Sequence, residues 1–423
     1  MRGDKLDRNN NNAGEASATS LRGLRVLDLS RVLAGPSCAQ MLADLGADVI
    51  KIERPERGDD SRAWGPPFMP DTAGNDTAES AYFCSCNRGK RSITLDLASH
   101  AGQDIMRRLV LRSDVLVENY KVGTLSKYGL GYADVAAINP RLIYCSVTGF
   151  GQTGPYRTRP GYDTIAQAMG GLMSVTGQGR DHGDPQPLKA GVPVTDIMTG
   201  LYATIGILAA LQSRATTGLG QQIDIALLDV QVAGLANLAT NYLATGRVPE
   251  PLGNRLPTLY PSDSFRCLDG HIMLIIGNDE QFRRFCEAAG LSGMAADPRF
   301  LTNQLRIRNA AILGPVMESR LQEGTVQSWV LRLEKFGIAC APINNVAQVF
   351  DNEQIRARGM VIETPHPSAG MVRTVANPLR LSGTPIHYHR PPPTLGQHSV
   401  EVLRELAGLS DQEIGRLRAD GVV

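Results

Sequence analysis

Three sets of residues in this chain have the type and spacing to do chemistry. The first is a pair of carboxylates, Asp163 in RPGYDTIAQAMGG and Asp196 in GVPVTDIMTGLYATIGILAALQ, each heading an apolar, small-residue stretch. A carboxylate so placed can cap a helix by accepting a first-turn backbone N–H. It can equally serve as a nucleophile if the fold shields it from water. Local sequence alone favours the cap. The second set is CNRGKRS, residues 86–92, which packs Arg88, Lys90 and Arg91 around a glycine, together with Arg54 just after the β-type run VIKIE. A solvated turn and a phosphate or carboxylate site fit these cations equally well. The third is GFGQTG, residues 149–154, a G-x-G-x-x-G match after a strand-like run. A dinucleotide site needs a helix opening inside that motif, so that its N-terminus faces the pyrophosphate. Here the extended PYRTRPGYD follows, so a glycine-permitted turn with close backbone approach is the expected form.

Other chemistries find little footing. The seven histidines are dispersed, and His387 and His389 lack a third partner nearby; Cys84 and Cys86 are too close for a zinc C-x-x-C pair, so no metal is expected. Neither a G-x-S-x-G elbow nor an H-E-x-x-H helix occurs. Seven scattered cysteines read as reduced thiols rather than a disulfide framework. Forty-three basic against 42 acidic residues leave a net charge of +1, without the broad positive field of a nucleic-acid binder. The most apolar stretch, residues 197–211, falls short of the ~20 residues a membrane span needs. Residues 1–20 are polar and asparagine-rich, which predicts a disordered tail without the apolar core of a secretory signal. A cytoplasmic enzyme without nucleic-acid or membrane partners is the expectation.

The elements that must position these residues alternate. Strands are expected at 24–30, 47–53, 91–97, 114–120 and 141–151, with helices from Pro36 to Gly46, near 99–112 and near 132–138. Such alternation implies an α/β fold with a parallel sheet, whose ligands gather beyond the carboxyl ends of the strands. A long helix follows Gly200. A Pro/Gly-rich break at 249–257 opens a smaller α+β unit, with a hairpin at 264–277 turning at Asp269-Gly270. β-type pieces at 359–385, an extended 390–398 and two closing helices complete the chain.

From about Leu21 to the C-terminus, the ordered motifs resemble the class III CoA-transferase family, also called CaiB/BaiF. They are LRGLRVLDLSRVLAGPSCAQMLADLGADVIKIERP, CNRGKRSITLDL, DVLVENYKVGTLSKYGLGY, NPRLIYCSVTGFGQTGPYRTRPGYD, GVPVTDIMTGLYATIGILAAL and TGLGQQIDIALLD. The resemblance implies a Rossmann-like large domain from both chain ends, residues 21–225 and 350–423. It also implies a linker helix at 226–250, a small α+β domain at 251–349, and an interlocked homodimer. It makes Asp196 the nucleophile, passing through a mixed anhydride and an aspartyl-CoA thioester. Coenzyme A and its acyl thioesters are then substrates, and no cofactor is permanently bound.

The family's CoA contacts fall on Val32, Leu33 and Ala34 after the first strand, and on Arg54, Leu95 and Ala98. They continue at Asn119, Tyr120 and Lys121, at Lys127, and at Tyr162 and Asp163 in a closing loop. The tail segments GIACAPINNVAQVF and RPPPTLGQHSVEVL resemble the branch that acts on glutarate and related dicarboxylates, with succinyl-CoA as donor. LGNRLP stands where formyl-CoA transferases carry a glycine-rich substrate loop. A dicarboxylate needs a cation for its distal end, and Arg88, Lys90, Arg91 and Arg255 are the candidates. The alternative within the same fold is an α-methylacyl-CoA racemase, whose G-H-D segment aligns with residues 161–163; Tyr162 replaces the histidine and weakens that reading.

Overall fold

The structure is a computed structural model that describes residues 19–179, 183–184 and 186–423, so the expected tail lies almost wholly outside the described residues. The chain divides into two compact units. The first holds the described residues up to Ala166, Pro193–Gln231 and Gly359–Val423; the second holds Gln167–Val192 and Val232–Arg358. These boundaries differ from those read in the sequence: residues 167–192 join the second unit, and 350–358 do not join the first.

The first unit is built on six parallel strands: β1 (Arg25–Asp28), β2 (Asp48–Glu53), β3 (Lys90–Thr94), β4 (Val115–Glu118), β5 (Ile143–Thr148) and β6 (Gln222–Ala226). Their spatial order is β3-β2-β1-β4-β5-β6. β1 and β4 are apolar on both faces because helices cover both. Helix α1 (Ala34–Asp44) and a long helix, Val194–Thr217, pack Cys38, Leu42, Ala203, Ile207 and Ala210 on one side. Helices α2 (His100–Leu111) and α3 (Tyr132–Ile138), with Ser399–Ala407, pack Ile105, Leu109, Val135, Val402 and Leu406 on the other. The order reverses between β1 and β4, which opens a crevice past their carboxyl ends, the usual ligand position of a doubly wound sheet.

The helix expected after Gly200 begins earlier. After the short helix α4 (Asp163–Met169), α5 runs Val194–Thr217 and takes in Asp196. At 24 residues it is long and apolar enough to cross a membrane, contrary to the shorter stretch read from the sequence. The apolar run alone missed the polar residues at both ends that the helix also contains. One face, including Thr199, Ala203, Ile207 and Ala210, is buried in the unit. The opposite face exposes Ile197, Leu201, Tyr202, Ile205 and Leu208.

The second unit is an α+β body. The antiparallel strands Ser262–Arg266, His271–Ile275 and Ala339–Pro342 pack with Asp279–Ala289, Ala310–Leu321 and Val326–Lys335 around Phe265, Phe282, Phe285, Phe300 and Trp329. Its hairpin closes with Cys267 N–H donating to Gly270 O at 2.8 Å. The expected linker helix is two helices, Leu227–Gly234 and Ala236–Thr245, broken where Ala236 takes φ +48°. All seven cysteines are free thiols.

Candidate active site

A cavity of about 180 Å³ occupies the crevice at the strand-order reversal. Residues 31–34 leave the end of β1 to form one wall, and residues 119–122 leave β4 to form a second. Val147, Thr148 and Gly149 close it at the end of β5, residues 157–162 form a further wall, and Asp60, Asp196 and Leu227 complete the lining.

The end of β5 and the 157–162 segment meet at two glycines. A Cβ on Gly149 would lie 2.5 Å from Gly161 Cα, and one on Gly161 would lie 2.4 Å from Gly149 Cα. GFGQTG is therefore a backbone crossing. Gly151 and Gly154 turn at φ +86° and +84°, and no helix opens before Asp163. Gly200 does similar work on α5, where a Cβ would lie 2.9 Å from Ala34 O. It lets α5 approach the start of α1, one turn along from Asp196 on the same helix face.

Asp196 is not a cap. It is the third residue of α5, whose N-cap position is Pro193, with no side-chain acceptor. Asp163 caps the helix from another element: its Oδ1 accepts the N–H of Thr195 at 2.9 Å and of Asp196 at 3.1 Å. Thr195 Oγ1 donates to Gln231 Oε1 at 2.6 Å and pins the turn from below. The Asp196 side chain is thus released from structural work. It is 9% exposed, and no hydrogen bond to its carboxylate occurs among the described residues. Burial pushes its pKa up to about 7, and the neighbouring Asp163 charge adds to the rise. The helix N-terminus favours the ionised form, but desolvation outweighs it.

Of the residues read from the sequence, Val32, Leu33, Ala34, Asn119, Tyr120, Lys121, Tyr162 and Asp196 line this cavity together. Arg54 stands farther along the same sheet edge, in a depression shared with Thr94, Asp96 and Arg418. It joins the cavity through Asp60, whose carboxylate takes Arg54 Nη2 at 3.0 Å and Arg31 Nη1 at 2.8 Å. Leu95 is buried in the sheet core, and Ala98 and Lys127 are exposed away from the cavity. Asn119 does more than line the wall: its amide exchanges two hydrogen bonds with the backbone of Arg31, at 2.9 and 2.8 Å.

The cationic cluster does not reach the cavity, and its substrate reading is corrected. Arg88 forks onto Asp44 at 2.9 and 2.6 Å. Lys90 Nζ donates to Asp28 at 2.8 Å, Asn87 at 2.7 Å and Pro36 O at 2.9 Å. Arg91 pairs with Asp48, Glu401 and Glu405. All three lie before or at the start of β3, whereas ligands of a parallel sheet collect past the strand ends. Arg255 belongs to the second unit, where its Nε donates to Leu252 O. The lining cations that sequence reading missed are Arg31, Arg157 and Arg159. Arg31 had a signal, since it stands just past β1. Arg157 and Arg159 had only their nearness to Asp163.

The family model of CoA-transferase family III matches residues 21–399. The chain belongs to that family. This CoA-transferase is 46% identical over 386 residues to the succinate–glutarate CoA-transferase of Agrobacterium fabrum, covering 91% of this chain and 95% of that protein. It is 41% identical over 403 residues to the Homo sapiens succinyl-CoA:glutarate CoA-transferase, covering 95% of this chain and 90% of that one. A solved CaiB/BaiF family protein from Brucella suis matches with a TM-score of 0.83 at 46% identity, over 92% of this chain and 99% of that chain. The chain is accordingly a transferase that takes acyl-CoA as a substrate.

Proposed function

We propose that this CoA-transferase moves CoA from succinyl-CoA to a short dicarboxylic acid of the glutarate type, with Asp196 as the nucleophile. The observation that carries this reading is a buried carboxylate, without hydrogen-bond partners among the described residues, on the wall of the cavity at the strand-order reversal. The Asp196 carboxylate attacks the succinyl carbonyl, the C–S bond breaks, and CoA thiolate leaves behind a succinyl–aspartyl anhydride. The thiolate then attacks the aspartyl carbonyl, the anhydride C–O bond breaks, and succinate departs from an aspartyl-CoA thioester. The acceptor carboxylate runs the same two steps in reverse, releasing its CoA thioester and free Asp196.

Every nucleophile and leaving group in this scheme is an anion, so no proton has to move. That agrees with a lining that contains no histidine among its described residues. The raised pKa suits the role: a desolvated carboxylate that ionises near neutrality is a stronger nucleophile than an ordinary one. The first-turn N–H of Ala34 has no intrahelical partner and stands at the wall where carbonyl charge develops.

Coenzyme A extends along the sheet edge, its phosphates toward Arg31 and Arg54 and its nucleoside toward the Thr94–Arg418 depression. The distal carboxylate goes to Arg157 and Arg159, which line the cavity and have no carboxylate partner among the described residues. Arg159 is stacked on the Tyr156 ring at 3.8 Å. Donor acyl group and acceptor acid react at one carboxylate, so one pair of cations would select both. The test offers succinyl-CoA and a panel of mono- and dicarboxylic acids, with new thioesters followed by mass spectrometry. Transfer to glutarate over monocarboxylates is expected. Arg157→Gln and Arg159→Gln should raise KM for glutarate and succinyl-CoA roughly tenfold or more, the scale of one bidentate Arg–carboxylate pair, while binding of free CoA is unchanged. α-Proton exchange on a branched acyl-CoA without transfer would overturn the proposal.

The same CoA-transferase is proposed to act as an interlocked homodimer. The outer stripe of α5 supports this: Leu201, Tyr202 and Ile205 are 45%, 47% and 60% exposed at helical spacing. Light scattering should give twice the 45.5 kDa chain mass, and Leu201→Glu with Ile205→Glu should lower it. A monomeric wild type would refute the dimer.

A further inference from the structure

Val32 sits on the cavity wall with φ +72°, in the left-handed region that a β-branched residue avoids. Such a conformation persists only where neighbours impose it, and here Asn119, Lys51 and Asp59 hold the backbone from Ser30 to Val32. Asn119 holds Arg31, just before Val32, by both its backbone groups. Lys51 Nζ donates to Ser30 O at 2.9 Å. The Val32 N–H donates to Asp59 Oδ1 at 3.1 Å. That oxygen also accepts the Ser61 N–H at 2.9 Å and the Ser61 hydroxyl at 2.7 Å. Its partner Oδ2 lies 2.9 Å from Lys51 Nζ, and both side chains are fully buried. Burial opposes ionisation of Asp59, but the Lys51 charge and the Ser61 donors outweigh it and hold the carboxyl well below its usual range. Asp59 does not itself line the main cavity. It sits beneath the turn that does.

We propose that Asp59, paired with Lys51, is a positioning residue for acyl transfer: it forces the left-handed turn at Val32 and thereby sets the wall of Val32, Leu33 and Ala34 that shares the cavity with Asp196. The inference rests on the Asp196 site being the place of transfer, which the wild-type rate with succinyl-CoA and glutarate tests separately. A purely structural carboxylate would stabilise the fold without coupling to the backbone of one residue. A positioning carboxylate couples to it, because glycine enters the left-handed region without strain and needs no forcing.

The experiment is a double-mutant cycle on the full chain, reading kcat/KM for succinyl-CoA with glutarate as acceptor. Asp59→Asn keeps size and removes charge, and should lower kcat/KM at least tenfold in the Val32 background. In the Val32→Gly background, whatever its own activity, the same substitution should cost less than threefold. An equal loss in both backgrounds, or no loss in either, would overturn the proposal. If Asp59→Asn does not fold, Val32→Pro decides. It locks φ near −65° and removes the N–H that Asp59 accepts, while the Asp59–Lys51 pair stays in the sequence. It should lower kcat/KM at least a hundredfold in a chain with a native circular dichroism spectrum, and retained activity would overturn the assignment.

Discussion

Asp196→Asn should abolish CoA transfer and leave a protein that is more stable than the wild type at pH 8. The first half follows from the reaction: an amide cannot form the anhydride, and losing a covalent nucleophile lowers the rate by roughly 10³-fold or more. The second half follows from the burial that raises Asp196 from its ordinary 3.8 to about 7. Below pH 3.8 the carboxyl is protonated folded and unfolded, and the substitution is neutral. Between pH 3.8 and about 7 the unfolded chain releases a proton that the folded chain keeps, so wild-type stability falls as pH rises. Above pH 7 the whole penalty is present, on the order of a few kcal/mol. Asparagine cannot ionise and escapes it. Denaturant midpoints should therefore separate at pH 8 and converge toward pH 4. The wild-type kcat/KM should fall below an apparent pKa near 7 as the nucleophile is protonated. Residual transfer above about 1% in the variant would remove Asp196 from the mechanism, and equal midpoints at both pH values would remove the buried charge.

Lys90→Met should cost stability and leave glutarate affinity alone. Lys90 and Asp28 are both fully buried and 2.8 Å apart. Burial pulls the Lys90 ammonium below its ordinary range, against the Asp28 charge. Methionine fills the volume but leaves the Asp28 charge with the Ser30 N–H and hydroxyl on Oδ1 and with Lys51, whose Nζ is 3.9 Å away, as its nearest cation. Breaking one side of a buried pair costs about 3–5 kcal/mol, so the denaturant midpoint should drop sharply. KM for glutarate, measured well below the melting temperature, should stay within twofold. An unchanged midpoint with a raised KM would return Lys90 to the substrate site. The contrast with Arg157 and Arg159 is one of position: Lys90 starts β3, and they stand past the end of β5.

Much of the fold was legible because apolar runs and glycine or proline punctuation act locally. VLDL, DVIKIE and VLVE alternate with helical stretches, and that pattern by itself gives a parallel sheet. The hairpin of Phe68–Pro70 and Asp76–Ser80 carried no such pattern and was not foreseen. At the site, local sequence marked Asp196 only as one of two carboxylates, and its role as nucleophile came from the family resemblance alone. The choice between cap and free acid turns on Asp163, which is 33 residues away and donates nothing to a local pattern.

The sequence by itself determined an α/β chain with a parallel sheet, a smaller α+β body, and family motifs centred on Asp196. Tertiary structure alone decided which charges are spent and which are free. Arg88, Lys90 and Arg91 look available in a linear reading but are consumed by Asp44, Asp28 and Asp48. Arg157 and Arg159 look incidental but reach the cavity wall. A charge is neutralised by what lies within a few ångströms in space, and the strand-order reversal that sets those neighbours exists only after the sheet has formed.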